Sequence, residues 1–189
     1  MSEKSSTISV PREFERLVHP PQVLSVPTHD DGTIPNNPRF PVLIYHQAVD
    51  MTERRDAAAV FERLFAANDW KNAWRNGIYT FHHYHSTTHE VMGIYNGSAT
   101  VRFGGEKGVT QKVRYGDVII IPAGVAHKSL GSSANLGVVG AYPQGAEWDM
   151  NYGRPGERPQ ADHHIAAAPM PHTDPVYGPE GPMFQYWNP

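Results

Sequence analysis

Residues 78–142 contain a series of short runs rich in β-branched and aromatic residues, with turn-forming residues between them. The runs have the length of ordinary strands, and Asn96-Gly97 between two of them is the dipeptide favoured in a two-residue hairpin turn. This spacing is typical of an antiparallel sandwich or barrel. We therefore expect an all-β fold with strands at 78–85, 90–95, 99–103, 110–115, 118–121, 126–130 and 136–142.

The two flanks of this region are rich in proline. Of the 17 prolines in the chain, only Pro122 lies within residues 42–142. Both flanks still carry apolar and aromatic side chains, which a solvated linker would lack. We expect an N-terminal arm over residues 1–41 packed on the barrel, a barrel over residues 42–142, and a C-terminal arm over residues 143–189 that wraps the barrel.

One stretch of the barrel segment has a helical pattern instead. Asp50 and Glu53 fit the first and last positions of a capping box, in which two side chains satisfy free backbone N–H groups at a helix start. The sequence therefore predicts one outer helix over residues 50–69, whose apolar stripe consists of Ala57, Val60, Phe61, Leu64 and Phe65.

Composition excludes several classes of partner and site. The formal net charge is -3 and no run of Lys or Arg occurs, so we expect no nucleic-acid partner. No segment approaches the ~20 apolar residues of a membrane span, and the first residues lack a signal-like apolar core, so we expect a cytoplasmic protein without membrane contact. Because the chain has no cysteine, a bound metal must be held by nitrogen and oxygen atoms.

Histidines are concentrated just after the start of the β-rich region, where four of the eleven lie within nine residues. Alternate residues of a strand share a face, so His83 and His85 point the same way. Glu90 opens the next run, and His127 follows a Pro-x-Gly turn on a later strand. Three imidazoles and a carboxylate predict a metal site formed by His83, His85, Glu90 and His127.

His89 is an alternative fourth ligand. If the strand ran unbroken beyond His85, His89 would share its face and the site would contain histidines alone. The polar triplet 86–88 is a plausible turn, which favours Glu90. The same alternation turns four further side chains inward, where they line either a ligand pocket or the barrel core: Tyr79, Phe81, Met92 and Ile94.

At these positions the chain resembles the cupin family. The first cupin motif, G-x5-H-x-H-x4-E-x6-G, is complete from Gly77 to Gly97, and the second, G-x5-P-x-G-x2-H-x3-N, is met from Gly116 to His127 but has Gly131 in place of its last Asn. Segments such as NNPRFPVLIY, YGRPGERP and DPVYGPEGP resemble one branch of single-domain bacterial and fungal cupins, so the likeness covers roughly residues 36–187.

The resemblance implies a jelly-roll β-barrel (a double-stranded β-helix), a metal held by the four residues named above, and a possible homodimer. One divalent ion is expected. Zinc usually takes four ligands and would be closed by this set, whereas Fe(II), Mn(II), Ni(II) or Co(II) would keep open positions. Fe(II) or Mn(II) is favoured, with Ni, Co or Zn as alternatives. The expected function is that of a metal-dependent oxidoreductase, dioxygenase-like, acting on a small-molecule substrate. A non-redox lyase, isomerase or cyclase, and a non-catalytic binding module, are the alternatives.

Overall fold

The computed structural model describes residues 10–52 and 55–188 and contains two antiparallel sheets. The smaller sheet has the order β6 (Val109–Arg114), β5 (Ser98–Phe103), β8 (His127–Ser132). The larger sheet has the order β1 (Val23–Val26), β2 (Val42–Tyr45), β7 (Val118–Ile121), β4 (Glu90–Asn96), β9 (Gly137–Pro143), β3 (Trp70–Asn76). The all-β jelly-roll fold predicted from the sequence is confirmed.

The larger sheet is buried on both of its faces. On β4, Val91 packs in one apolar cluster, whereas Met92 and Ile94 pack in a second cluster between the two sheets. On β7, Ile119 and Ile121 also face the second cluster. Burial on both faces explains why β7 reads as an unbroken apolar run and not as an alternating strand.

A helix, α1 (Ala57–Ala67), covers the outer face of the larger sheet. The predicted helix over residues 50–69 is therefore wrong at both ends. Asp56 caps the helix by accepting a hydrogen bond from the Ala59 N–H at 3.0 Å, while the N–H of Asp50 donates to the Leu17 carbonyl. This bond ties Asp50 to the N-terminal arm, and Glu53 lies outside the described residues.

Two predictions for the strands need correction. Residues 78–85 form no regular strand and instead make isolated bridges, whereas the preceding segment forms β3, an edge strand paired with β9. The N-terminal arm also does more than pack on the barrel, because β1 is the other edge strand of the larger sheet. Most side chains of β3 are polar, whereas β1 carries Val23, Leu24 and Val26, and hydrogen bonds to a neighbouring strand hold both edge strands in place.

The prediction of a single outer helix is also wrong. The C-terminal arm contains α2 (Gln160–Ala167) and α3 (Met183–Tyr186), which begin directly after Pro159 and Pro182. Proline disrupts a helix interior but is compatible with a helix start, so a proline-rich segment can still hold short helices. None of the helices in the described residues has the length and apolar character of a membrane span.

The close packing of α1 on the larger sheet depends on Gly93 of β4. A Cβ atom at this position would lie 2.6 Å from the Phe61 ring. We expect Gly93→Ala to lower the free energy of unfolding by about 1–3 kcal/mol, because the ring must shift in a filled core. The matched control is Gly131→Ala, since a Cβ there meets no atom within 4 Å. Urea denaturation of both variants tests this, and equal losses would contradict it.

Candidate metal centre

The connection over residues 77–85 runs beside β8 and brings two of the predicted ligands together. His83 and His127 form an antiparallel bridge, with the His127 N–H donating to the His83 carbonyl at 3.0 Å. Their ring centroids are 4.2 Å apart, and both side chains are buried. A turn closed by the Val125 N–H bond to the Pro122 carbonyl, with Gly124 at a positive φ, precedes His127, the first residue of β8.

His85 and Glu90 complete the group from neighbouring positions. Glu90 is the first residue of β4 and pairs with Ile121 on β7, which anchors its backbone. Its Oε2 atom lies 3.5 Å from Nε2 of His85 and 3.5 Å from Nε2 of His127. The structure therefore brings all four sequence-predicted side chains to one end of the barrel.

These four side chains converge without forming a closed coordination shell. Across residues 10–52 and 55–188, no three His, Asp or Glu side chains already stand as an assembled metal cluster. Neighbouring donors around one ion at about 2.1 Å are about 3 Å apart, which is shorter than the 3.5 Å separations measured here. A bound ion would require small rotations of these rings.

Each of the three histidines has its Nδ1 atom against a backbone carbonyl. Nδ1 of His85 lies 2.5 Å from the Asp149 oxygen, and Nδ1 of His127 lies 3.2 Å from the Val125 oxygen. Nδ1 of His83 is 3.3 Å from the Phe81 oxygen. A carbonyl only accepts hydrogen bonds, so the proton sits on Nδ1 and the lone pair of a neutral ring sits on Nε2.

The two oxygens of Glu90 have different surroundings. Oε1 accepts a hydrogen bond from the Tyr142 hydroxyl at 3.2 Å, and that hydroxyl accepts one from Nε1 of Trp74 at 3.0 Å. Oε2 is buried without a hydrogen-bond partner. Sequence reasoning missed Tyr142 and Trp74, because they lie on β9 and β3 and no short motif links them to Glu90.

The C-terminal arm also reaches the site through Asp149. Besides its contact with His85, its carboxylate accepts hydrogen bonds from the backbone N–H groups of Ser86 and Thr87, at 2.6 and 3.2 Å. The Ser86 hydroxyl donates to the same carboxylate. The ring centroids of Trp148 and His85 are 5.2 Å apart. The arm therefore holds the loop that carries His85, and the Asp149 contribution left no signal in the sequence pattern.

The structure places His89 and His82 outside this group. His89 is buried against Phe40 and Trp187, and its Nδ1 accepts a hydrogen bond from the Ala123 N–H at 2.9 Å. The alternative in which His89 replaces Glu90 does not fit this position. His82 points to the other side of the connection, as the predicted alternation requires, and its Nε2 lies 3.4 Å from Glu106.

Burial and charge set the protonation of the four side chains in the metal-free protein. Burial lowers the pKa of His83, and it lowers the pKa of His127 to about 3. For His85, burial acts against the charged form, but Glu90 and the Asp149 carbonyl outweigh it and raise the pKa. Burial likewise acts against ionised Glu90, and chiefly the facing His85 lowers its pKa. His85 and Glu90 thus form a buried ion pair beside two neutral imidazoles.

The four side chains open into a cavity of about 290 Å³. Tyr79 and Met92 line this cavity as predicted, but Phe81 and Ile94 do not. Phe81 lies on the same side as Tyr79 and His83, with its ring stacked on Tyr79 and 5.8 Å from the His83 ring, but it is half exposed and lies outside the cavity. Ile94 faces inward but lies fully buried in the core between the sheets, further along β4 than the cavity extends.

Comparison with known proteins agrees with this architecture. The family model described as Cupin matches residues 70–144. The uncharacterized protein YjlB of Bacillus subtilis is 42% identical over 158 residues, which cover 84% of this chain and 92% of YjlB.

Solved structures match more loosely. Acireductone dioxygenase from Bacillus anthracis, with a cadmium ion in its active centre, is 18% identical with a TM-score of 0.40, over 69% of this chain and 83% of the dioxygenase. Pumpkin seed globulin is 25% identical with a TM-score of 0.35, over 42% of this chain; the match spans only 22% of the globulin's own length. The identity to YjlB extends over most of both chains and the family model matches strands β3 to β9, so the chain belongs to the cupin family.

Proposed function

We propose that this cupin is a metal-dependent enzyme that acts on a small organic molecule, with a dioxygenase-like oxidation as the reaction. One divalent ion would be held by His83, His85, Glu90 and His127. The observation that carries the proposal is the unpartnered Oε2 atom of Glu90, buried and facing the Nε2 atoms of two histidines.

The Oε2 atom of Glu90 and the Nε2 atoms that face it are suited to binding a cation. With the proton on Nδ1, a neutral imidazole turns a lone pair toward Oε2, and two facing acceptors repel unless a positive charge lies between them. In the metal-free protein the extra proton of His85 supplies that charge. A divalent ion supplies it to all four donors at once, and the Nδ1 contacts to carbonyls are the outer partners that orient ligating histidines.

The donor set supports a six-coordinate ion. Three neutral imidazoles and one carboxylate leave a divalent ion with a charge near +1 and with open positions, which suits Fe(II) or Mn(II) better than four-coordinate Zn(II). When bound, such an ion would polarise a substrate oxygen and offer a neighbouring position to water or dioxygen.

The cavity lining supports oxidation over proton-transfer chemistry. Lyases and isomerases need a positioned base to move a proton. Beyond the four proposed ligands, the titratable groups that line the cavity are Arg75, Tyr79 and Tyr142. A guanidinium stays protonated, and the Tyr142 hydroxyl is already bonded to Glu90. Among the described lining residues no carboxylate or imidazole is therefore free to act as base, and Tyr79 is the one remaining hydroxyl.

Metal analysis and oxygen uptake test this proposal. Protein purified without added metal is expected to contain about one divalent ion per chain. After reconstitution with Fe(II), an oxygen electrode is expected to register substrate-dependent uptake in a screen of diols, enediols and diketones. Metal-dependent turnover of a substrate under argon would contradict oxidation and favour non-redox chemistry. Absence of bound metal would contradict the whole proposal.

Tyr142 offers a separate prediction for the same site. Tyr142→Phe removes the hydroxyl that donates to Oε1 of Glu90, and we expect metal affinity to fall about 10-fold or more, as for the loss of other outer partners of metal ligands. The control is Tyr45→Phe, which removes a buried hydroxyl bonded to Asp174, far from the cavity. Titration against a coloured chelator measures both variants. Equal losses of affinity in the two would contradict the prediction.

A further inference from the structure

We infer that a second site, on the outer face of the smaller sheet, binds a phosphate monoester carried on a flat ring. The site is a groove of about 950 Å³ (the outer groove), whose lining includes Phe81, His82, Glu106, Lys107, Lys128 and Tyr152. The connection over residues 79–83 separates it from the metal cavity, because Thr80 and His82 line the groove whereas Tyr79 and His83 line the cavity. Binding in the outer groove therefore requires no metal ion.

Two like charges face each other beside this groove. Arg102 on β5 and Lys128 on β8 are directly opposite partners in the register of the smaller sheet. Both side chains lie on the outer face, because the adjacent residues Phe103 and His127 face inward. Like charges directly opposite each other on neighbouring strands destabilise a sheet. The pair is therefore a place where an anion is stabilised.

Glu106 supplies the negative charge in the structure. Nζ of Lys128 donates to Oε1 of Glu106, and Nη1 of Arg102 donates to Oε2 at 2.9 Å. Glu106 lies in the turn between β5 and β6, and its side chain is 67% exposed. Ion pairs with an exposed partner contribute little to stability, so an anion from solution can displace this carboxylate.

Three buried nitrogen atoms beside Glu106 make no hydrogen bond. They are Nε of Arg102 and both ring nitrogens of His82, none of which has a partner within residues 10–52 and 55–188. Nε2 of His82 lies 3.4 Å from Oε1 of Glu106, and the His82 side chain is only 11% exposed. A guanidinium Nε–H always donates, and an imidazole carries at least one N–H. Because buried donors without acceptors are unfavourable, these atoms suit an anion with more acceptor oxygens than a carboxylate.

A phosphate group meets this requirement. It carries three strong acceptor oxygens and up to two negative charges, whereas a carboxylate has two oxygens and one charge. A phosphate in the position of the Glu106 carboxylate can therefore accept from Arg102 and Lys128 and still turn an oxygen toward His82. Hydrogen bonds from cations to phosphate are among the strongest that side chains make.

The remaining charges of the outer groove also favour an anion. Lys107 and Arg154 line the groove, and the other carboxylate in the lining is that of Asp31. Oδ1 of Asp31 already accepts hydrogen bonds from the N–H groups of Thr33 and Ile34, at 2.9 and 2.7 Å. Once the Glu106 side chain turns out to solvent, the cations among the described lining residues outnumber the carboxylates.

Exposed rings in the same groove are suited to a flat guest. Phe81 and Tyr152 have ring centroids 5.9 Å apart, and they are 45% and 38% exposed. The guanidinium carbon of Arg154 lies 4.4 Å from the centroid of the Tyr152 ring. Planar groups stack on aromatic rings and on guanidinium planes. An ester with its phosphate at Arg102 and its ring near Tyr152 would use both features.

Calorimetry in low-salt buffer without phosphate tests the inference with three probes. Phenyl phosphate carries both groups, inorganic phosphate lacks the ring, and benzoate replaces the phosphate by a carboxylate. We expect phenyl phosphate to bind about 3-fold more tightly than phosphate and about 10-fold more tightly than benzoate. Tyr152→Leu is expected to abolish the preference for the ring. Tyr115→Leu is the control, because this half-exposed ring lies outside the groove.

Two substitutions with opposite expected effects test the anion site itself. Glu106→Gln removes the competing charge, so phenyl phosphate is expected to bind about 3-fold more tightly or better. Arg102→Gln removes a charged donor and is expected to weaken phenyl phosphate about 10-fold. Lys112→Gln is the control, because this exposed lysine of the same sheet lines a different groove. If the melting temperature shows that Arg102→Gln does not fold, Lys107→Gln in the exposed turn replaces it, with an expected loss of about 3-fold.

Four results would overturn the inference. They are equal affinities in Arg102→Gln and Lys112→Gln, no gain in Glu106→Gln, no preference for phenyl phosphate over inorganic phosphate, and tighter binding of benzoate than of phenyl phosphate. Phosphate also coordinates metal ions, so the titrations are repeated after treatment with a chelator and metal analysis. Binding that persists without metal supports a separate site, and binding that disappears with the metal would overturn it.

Discussion

Replacement of His85 by alanine is expected to lower the affinity for divalent metal by more than about 100-fold, beyond the loss typical for an outer partner of a ligand. His85 supplies a proposed ligand and is also the ion-pair partner of Glu90, whose Oε2 atom accepts no hydrogen bond. His83→Ala and His127→Ala are expected to have effects of the same order. Glu90→Gln is expected to cost less, because an amide oxygen can still coordinate. Elemental analysis and chelator competition measure all four variants.

Two substitutions nearby serve as matched controls. His82→Ala removes an imidazole that points into a different groove, and metal content is expected to stay unchanged. His89→Asn keeps an acceptor for the Ala123 N–H in the core and is also expected to retain metal. Loss of metal in His89→Asn together with retention in Glu90→Ala would reverse our choice of the fourth ligand.

Strand periodicity accounts for part of the candidate site, and the turn signals at residues 86–88 and before His127 account for the rest. The alternation that pairs His83 with His85 and opposes His82 holds even though residues 78–85 form only isolated bridges, because the backbone there is still held beside β8. The turn at residues 86–88 also behaves as expected and leaves Glu90 facing the histidines.

Contacts between distant parts of the chain could not be predicted in this way. Tyr142 is 52 positions from Glu90, and Asp149 is 64 positions from His85, so no local pattern connects the members of either pair. The start of α1 shows the same limit. Local rules favoured Asp50 as the cap, but Asp50 is bonded to Leu17 in the N-terminal arm and the helix begins at Ala57, where Asp56 is the cap. Tertiary contacts outweighed a satisfactory local signal.

The pKa shifts in the metal-free site indicate at which histidine a proton competes with the metal ion. Burial lowers the pKa of His83 and His127 below the ordinary value of a histidine, so both are neutral near pH 7 and can bind metal there without losing a proton. His85 has a raised pKa because Glu90 and the Asp149 carbonyl stabilise its charged form. Metal must displace that proton, so affinity is expected to fall about tenfold for each pH unit below the raised pKa of His85.

The same linkage determines how metal changes stability. A group whose pKa folding raises stabilises the metal-free fold below its ordinary pKa, and this contribution disappears as the pH rises through the raised value. The His85–Glu90 ion pair therefore supports the metal-free protein in acid, where metal binds weakly. At alkaline pH His85 has lost its extra proton, and a bound metal ion would then supply the positive charge between His85 and Glu90.

A chelator is therefore expected to lower the melting temperature strongly at pH 8 and only slightly at pH 5. Metal that binds the folded state alone adds about 2.7 kcal/mol when free metal is about 100 times Kd. From pH 8 to pH 5 the competing proton on His85 reduces affinity by more than about 30-fold, which leaves about 1 kcal/mol or less. Melting curves with and without chelator at both pH values measure this. An equal chelator effect at pH 5 and pH 8, in protein shown to contain metal at both, would mean that no histidine proton is displaced and that His85 is not a ligand.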